Sequence, residues 1–153
     1  GDLSGFARLT HASPGTSLAE VIVAQWQGSG DFSFLFMFRG DQTGDPYRIA
    51  RSQDGTNVEA YDDDGADATT AERTLVAQSL GASRKLYVNK TEKSLSLVSG
   101  SPKTGILDAT GDVTVGATFA GGTLNASMAF LGFVETALTT TQRETITDLI
   151  NAL

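Results

Sequence analysis

The chain has 153 residues, 40% hydrophobic and 19% charged, the balance of a globular domain long enough to bury a core. Its net charge of −7 would repel a phosphate backbone or an anionic membrane surface, which argues against nucleic acid and membrane insertion. No cysteine and a single histidine exclude disulfides, thiol nucleophiles, zinc thiolates and histidine-cluster metal sites.

The 17 glycines against 3 prolines favour many tight turns, hence a β-rich domain. No signal peptide is visible, and no apolar run approaches the roughly 18 residues of a membrane span. The lack of cysteine leans towards a bacterial or viral source. A start at Gly1 rather than Met points to a processed form, an ordered part, or one domain of something longer.

Residues 17–27, SLAEVIVAQWQ, read as a strand that ends at the turn GSGD. FSFLFMFRG follows as a second strand. Side chains alternate faces along a strand, so the phenylalanines share one face, with Ser33, Leu35 and Met37 on the other. Apolar character on both parities marks a central strand covered on both sides. Residues 46–65 read as a hairpin turning at Asp54-Gly55, with strands over 47–52 and 57–61. Residues 62–73 read as an acidic loop, and 74–100 as three short strands with turns near Gly81 and at Asn89-Lys90. Residues 101–111 are loop, 112–118 a strand, 119–126 a turn and 127–138 a long strand. The period then changes. Ile146, Leu149, Ile150 and Leu153 have helical spacing, and Thr141 with Glu144 fits a capping box. The whole reads as one all-β domain over 1–153 with a short C-terminal helix.

Two stretches carry a family resemblance. TLVAQSLGASRKLYVNKTEKS resembles the middle of a laminin-G-like, concanavalin A-like jelly roll, through Leu75, Val76, Ala77, Leu86, Tyr87, Val88 and Asn89. DVTVGATFAGGTLNASMAFLGFVETALTTTQRETI is similar to that family's ending, through Val115 to Ala117, Phe119 to Gly122, Met128 to Val134, and Ala137 to Ile146. Lys90 stands where the family usually has glycine, which expects Asn89 in the left-handed conformation. The resemblance implies a two-sheet antiparallel jelly-roll sandwich. It further implies a concave groove of the kind that often binds sugars, with the second face of the Phe strand turned to that groove, to covering loops or to a partner chain.

Catalytic chemistry is scarce. The glucanases of this fold carry an E-x-D-x-x-E signature, whose spacing sets carboxylates on one face. This chain has no E-x-D, and Glu59 and Asp62 fall on opposite faces of a strand. His11 lies in a loop-like segment without a nucleophile elbow, and reads as a surface or hydrogen-bonded loop histidine. The expectation is therefore no enzyme. Asp62, Asp64 and Asp67 in DDDGAD are hard oxygen ligands suited to Ca²⁺, against the plainer reading of a solvated acidic loop. Trp26 and Tyr61 could stack on sugar rings, with Asp62 and Asp64 as polar neighbours. Asn89-Lys90-Thr91 and Asn125-Ala126-Ser127 match the N-glycosylation pattern and carry no functional weight alone.

Three functions stay open: a non-catalytic module for glycans or cell-surface polysaccharide; a structural decoration, spike or fibre protein of a virion, contacting other virion proteins or forming homo-oligomers; and a degenerate glycan-processing enzyme. The first two are compatible and place the chain at a virion surface or outside the cell.

Overall fold

The computed structural model describes residues 2–12, 19–27, 31–39, 44, 46–52, 54, 57–65, 70–105, 112–116 and 124–153, without the side chains of 19, 20, 26, 27, 31 and 32. Eleven strands and one helix are described: β1 (Leu3–His11), β2 (Ala19–Gln27), β3 (Asp31–Arg39), β4 (Tyr47–Ser52), β5 (Val58–Asp63), β6 (Arg73–Leu80), β7 (Ser83–Val88), β8 (Thr91–Lys93), β9 (Leu95–Ser99), β10 (Val113–Val115), β11 (Ala126–Val134) and α1 (Thr140–Asn151). They form two antiparallel sheets, β11-β1-β6-β7-β8 and β10-β2-β3-β4-β5-β9. The all-β sandwich with a C-terminal helix stands as expected.

Strand β3 shows why the sandwich forms. Phe36 and Phe38 enter the core between the sheets with Ala7, Leu9, Ile22, Val23, Tyr47, Ile49, Leu75, Leu86 and Val88, and Phe34 packs against it. The other parity is covered too. Leu35 and Met37 are each 3% exposed and pack with Val21, Ala24, Ala50 and Ala60. That burial occurs within a single copy, so the second face of β3 needs no partner chain to cover it.

The interior is closed by polar groups at both ends. At one end His11 Nε2 lies 3.0 Å from the Tyr47 hydroxyl, and its ring stands 4.3 Å from that of Phe38. At the other end Arg51 and Glu59 of one sheet meet Arg84 and Ser79 of the other. Arg51 donates from Nε to Glu59 Oε1 at 2.7 Å and from Nη1 to Ser79 Oγ at 2.7 Å. Arg84 Nη2 donates to the same Glu59 oxygen, and Lys103 N–H donates to Glu59 Oε2. Both guanidiniums also reach the carbonyls of Gly81 and Lys103. Glu59 is fully buried.

Helix α1 lies on the outer face of the five-stranded sheet. Ile150 is buried against Phe6, Val76 and Tyr87, with Ile146, Phe130, Val134 and Leu138 around them. Arg143 stacks its guanidinium carbon 3.6 Å from the centre of the Tyr87 ring. Arg8 Nη1 donates to the Ile150 carbonyl near the helix C-terminus, at 2.8 Å.

Several expectations need correction. Residues 3–11 are a full strand, so His11 is the buried end of β1 rather than part of a surface loop. It is hydrogen-bonded, to the Tyr47 hydroxyl. Residues 74–100 lie in four strands instead of three, because the chain changes sheet at Ser94, between β8 and β9. Asp62 and Asp63 belong to β5 rather than to a loop. The last strand ends at Val134. The capping box is Thr139 with Gln142, not Thr141 with Glu144: the helix begins two residues earlier, and Gln142 Oε1 accepts from the Thr139 N–H at 3.0 Å. Asn89 takes a φ of 48° as expected, and Lys90 follows it at 72°. Two positive φ values make the turn that suits a two-residue hairpin. Asn89 Oδ1 also accepts from the Thr74 N–H, at 2.9 Å. Gly55, in the expected hairpin turn, lies outside the described residues.

Removing one member of a buried ion cluster leaves the others unpaired in a poor solvent for charge. Glu59→Ala therefore should lose about 3–5 kcal/mol in urea unfolding. Replacing Arg51, Glu59 and Arg84 together by Met, Leu and Met should recover most of that loss. A loss under about 1 kcal/mol for Glu59→Ala would remove the cluster from its role.

Candidate functional site

The hairpin of β4 and β5 carries charge on both faces. Arg51 pairs with Glu59 across it and faces inward, while Arg48 pairs with Asp62 and faces outward. On the outer face of the six-stranded sheet, Met37, Arg48, Asp62 and Ser96 form one cross-strand row. Beside that row lie the apolar Leu35, Ala50 and Ala60.

Arg48 and Asp62 make a bidentate pair. Nε reaches Oδ1 at 2.5 Å, and Nη2 reaches Oδ2 at 2.7 Å. Their side chains are 19% and 13% exposed, so the pair is accessible without being loosely hydrated. Nη1 lies outside the pair, and each carboxylate oxygen keeps a further lone pair. The exposed Ser96 adds a hydroxyl. Donor and acceptor stand side by side on a fixed base, an arrangement that can hold vicinal hydroxyls or a ligand carboxylate. The sequence carried no such signal for Arg48: a two-residue turn at Asp54-Gly55 would set it opposite Tyr61, and the observed register, one residue longer, sets it opposite Asp62.

The expected site residues separate. Tyr61 points to the inner face, opposite to Asp62, so these two cannot grip one ligand on the same side. Its ring lies 6.0 Å from the Arg84 guanidinium carbon. Burial and the neighbouring Glu59 raise the Tyr61 hydroxyl above its ordinary range, with Arg51 opposing. Trp26 lies in β2 opposite Phe32, and its side chain is outside the described atoms. Asp64 follows β5, exposed, 3.5 Å from Lys93 Nζ. Asp63, between the two, accepts from the Tyr47 and Gly65 N–H groups at 3.0 Å each. Asp67 lies outside the described residues, so Asp62 and Asp64 are the part of the expected calcium set that can be placed. Among the described residues no three histidine, aspartate or glutamate side chains gather as a metal site. A cavity of about 30 Å³ between the sheets, lined by Phe34, Ile49, Arg51, Ala77 and Phe133 among others, has room for a water rather than a sugar.

Glu59 is enclosed by two guanidiniums and a backbone N–H, and Asp62 is engaged by Arg48. His11 is pushed down to about 4 by burial, so it stays neutral inside the sandwich. None of the three is poised as a general acid facing a substrate groove.

No protein-family model matches this chain, and no curated protein matches it. Solved structures do. A Ruminococcus gnavus IT-sialidase CBM40 bound to α2,3-sialyllactose superposes with a TM-score of 0.67 at 15% identity, over 95% of this chain and 82% of that one. Trypanosoma rangeli sialidase gives 0.64 at 13% identity, over 97% of this chain but 23% of that one. The receptor-binding domain of a mosaic serotype C/D botulinum neurotoxin gives 0.68 at 8% identity, over 96% of this chain and 36% of that one. At these identities the likeness establishes the β-sandwich fold.

Because the folded His11 titrates below the unfolded value of 6.5, the unfolded chain binds the extra proton between them. Stability from this group should be complete above about pH 6.5 and fall as pH drops towards 4, by roughly 2–3 kcal/mol. Comparing urea midpoints of the wild type and His11→Gln across that window checks it. The variant should lose the histidine share of the slope, and an unchanged slope would contradict it.

Proposed function

We propose that the chain is a non-catalytic carbohydrate-binding β-sandwich module whose ligand seats on the Arg48–Asp62–Ser96 row. The carrying observation is the bidentate, partly exposed Arg48–Asp62 pair on the outer face of a sandwich that matches a CBM40 over most of both chains. That module's sialyllactose is a ligand of that module; here it supports hydroxyl-rich glycans, sialylated ones included, as the first class to try. On the sequence resemblance, we place the domain within the concanavalin A-like, laminin-G-like group and take all 153 residues as one unit. The setting we propose is extracellular display, on a virion or another large assembly, and its support is that resemblance alone.

A non-catalytic reading rests on the carboxylates. Glycosidases of the common kind need two carboxyl groups facing across the bond, about 5–10 Å apart. Glu59 and Asp62 instead occupy opposite faces, each held by arginine. Calcium is proposed only as an accessory to the 62–67 segment and enters the test as a separate arm.

The test is a glycan array followed by calorimetry with 3′- and 6′-sialyllactose, lactose and acidic polysaccharides, with calcium and with chelator. Arg48→Ala and Asp62→Ala should each weaken the bound glycan at least about tenfold, the cost of hydrogen bonds to a charged group. Circular dichroism should be unchanged. Binding indifferent to both variants would move the site elsewhere. Release of free sugar would make the chain an enzyme.

A further inference from the structure

We propose that the edge of β11 that is unpaired among the described residues pairs antiparallel with β11 of a second copy, joining two five-stranded sheets across a two-fold axis at Gly132. The inference is independent of the glycan reading.

An edge strand presents a row of unpaired N–H and C=O groups that can template another strand. Among the described residues β11 pairs with β1 on one side only. None of its nine residues is fully buried, and Phe133 is 38% exposed. Proteins usually defend such an edge, and three edges here are defended. Strand β8 has three residues, two of them Glu92 and Lys93. Strand β10 has three residues. Strand β9 is broken by a register shift at Val98, between the Ala60 and Tyr61 pairings. Strand β11 carries its own shift at Ala129, which leaves Phe130–Val134 regular.

Those residues favour a second copy as the occupant. Ala126–Val134 contains no charged residue and no proline, in a chain of net charge −7. Two copies can therefore meet along this stripe without opposing like charges. The stripe is also self-complementary. With the axis at Gly132, Phe130 meets Val134 of the second copy on the helix-covered face. On the inner face Leu131 meets Phe133 of the second copy, and the exposed Phe133 ring gains cover. Gly132 itself has no side chain to obstruct the axis. Five strand residues and their neighbours fall in the small class of interface, below about 1,200 Å². The dimer is accordingly reversible.

Sedimentation equilibrium between about 10 µM and about 1 mM reads the dimer directly. The mass should rise from the 16.0 kDa of one chain towards twice that value. Amide hydrogen exchange at 130–134 should slow several-fold at the high concentration and nowhere else to the same degree. Phe133→Lys should stay monomeric with an unchanged circular dichroism spectrum. A constant mass across the range would overturn the proposal. So would a mass rise without protection at 130–134, a readout that stands even if Phe133→Lys fails to fold.

Discussion

The buried cluster of Arg51, Glu59 and Arg84 is the constraint on which the geometry of this sandwich rests. Its members come from both sheets, and its hydrogen bonds extend to Ser79, Gly81 and Lys103. Taking three charges out of water is expensive, and each remains affordable only while the others are in place. The cluster thus fixes the β4–β5 hairpin against the β6–β7 turn and ties the 101–105 segment to both. Strand alternation carries that order to the other face. Arg48 is three residues from Arg51, and Asp62 three from Glu59, so the inward pairs that lock the hairpin also set the outward pair in place.

Between the cluster and the His11–Tyr47 contact at the opposite end, the interior is apolar. Strand β3 runs through its middle and is covered on both sides. One side is the aromatic filling of the sandwich, and the other is a layer of smaller residues around Leu35 and Met37. Polar ends with a greasy middle explain why a chain with 19% charged residues can still bury Glu59, Arg51 and His11. Each is buried only with a partner.

Much of this was legible in the sequence. The alternating Phe run gave away a central strand, Asp54-Gly55 a hairpin, Asn89 a left-handed turn residue, and Ile146 with Ile150 a helix face. Each is a local signal, contained within a stretch of about ten residues. Strand β1 was not legible. LSGFARLTH mixes small, charged and apolar residues because the strand is buried on both faces and hydrogen-bonds through Ser4 and Arg8. The sheet change at Ser94 was hidden because the flanking residues read as one continuous pattern. The capping box moved because three threonines in succession offer equivalent caps, and Gln142 serves at the third helical position as well as a glutamate. The site was legible in part. Asp62 was identified, but its partner Arg48 is defined by cross-strand register. Tyr61 and Asp62 look like neighbours on one ligand when the strand ends at Tyr61; β5 continues to Asp63, and strand alternation turns the two residues to opposite faces.

A sandwich of this kind hosts unrelated functions, so the fold supplies the frame and the outer row of residues the chemistry. The most direct measurement is a nitrogen–proton NMR titration of the labelled chain with the tightest-binding glycan. The account predicts shifts concentrated on the amides of Met37, Arg48, Asp62 and Ser96, with the helix face and the Arg51–Glu59–Arg84 cluster unmoved. Shifts centred on α1, or on the inner face near Tyr61, would contradict it.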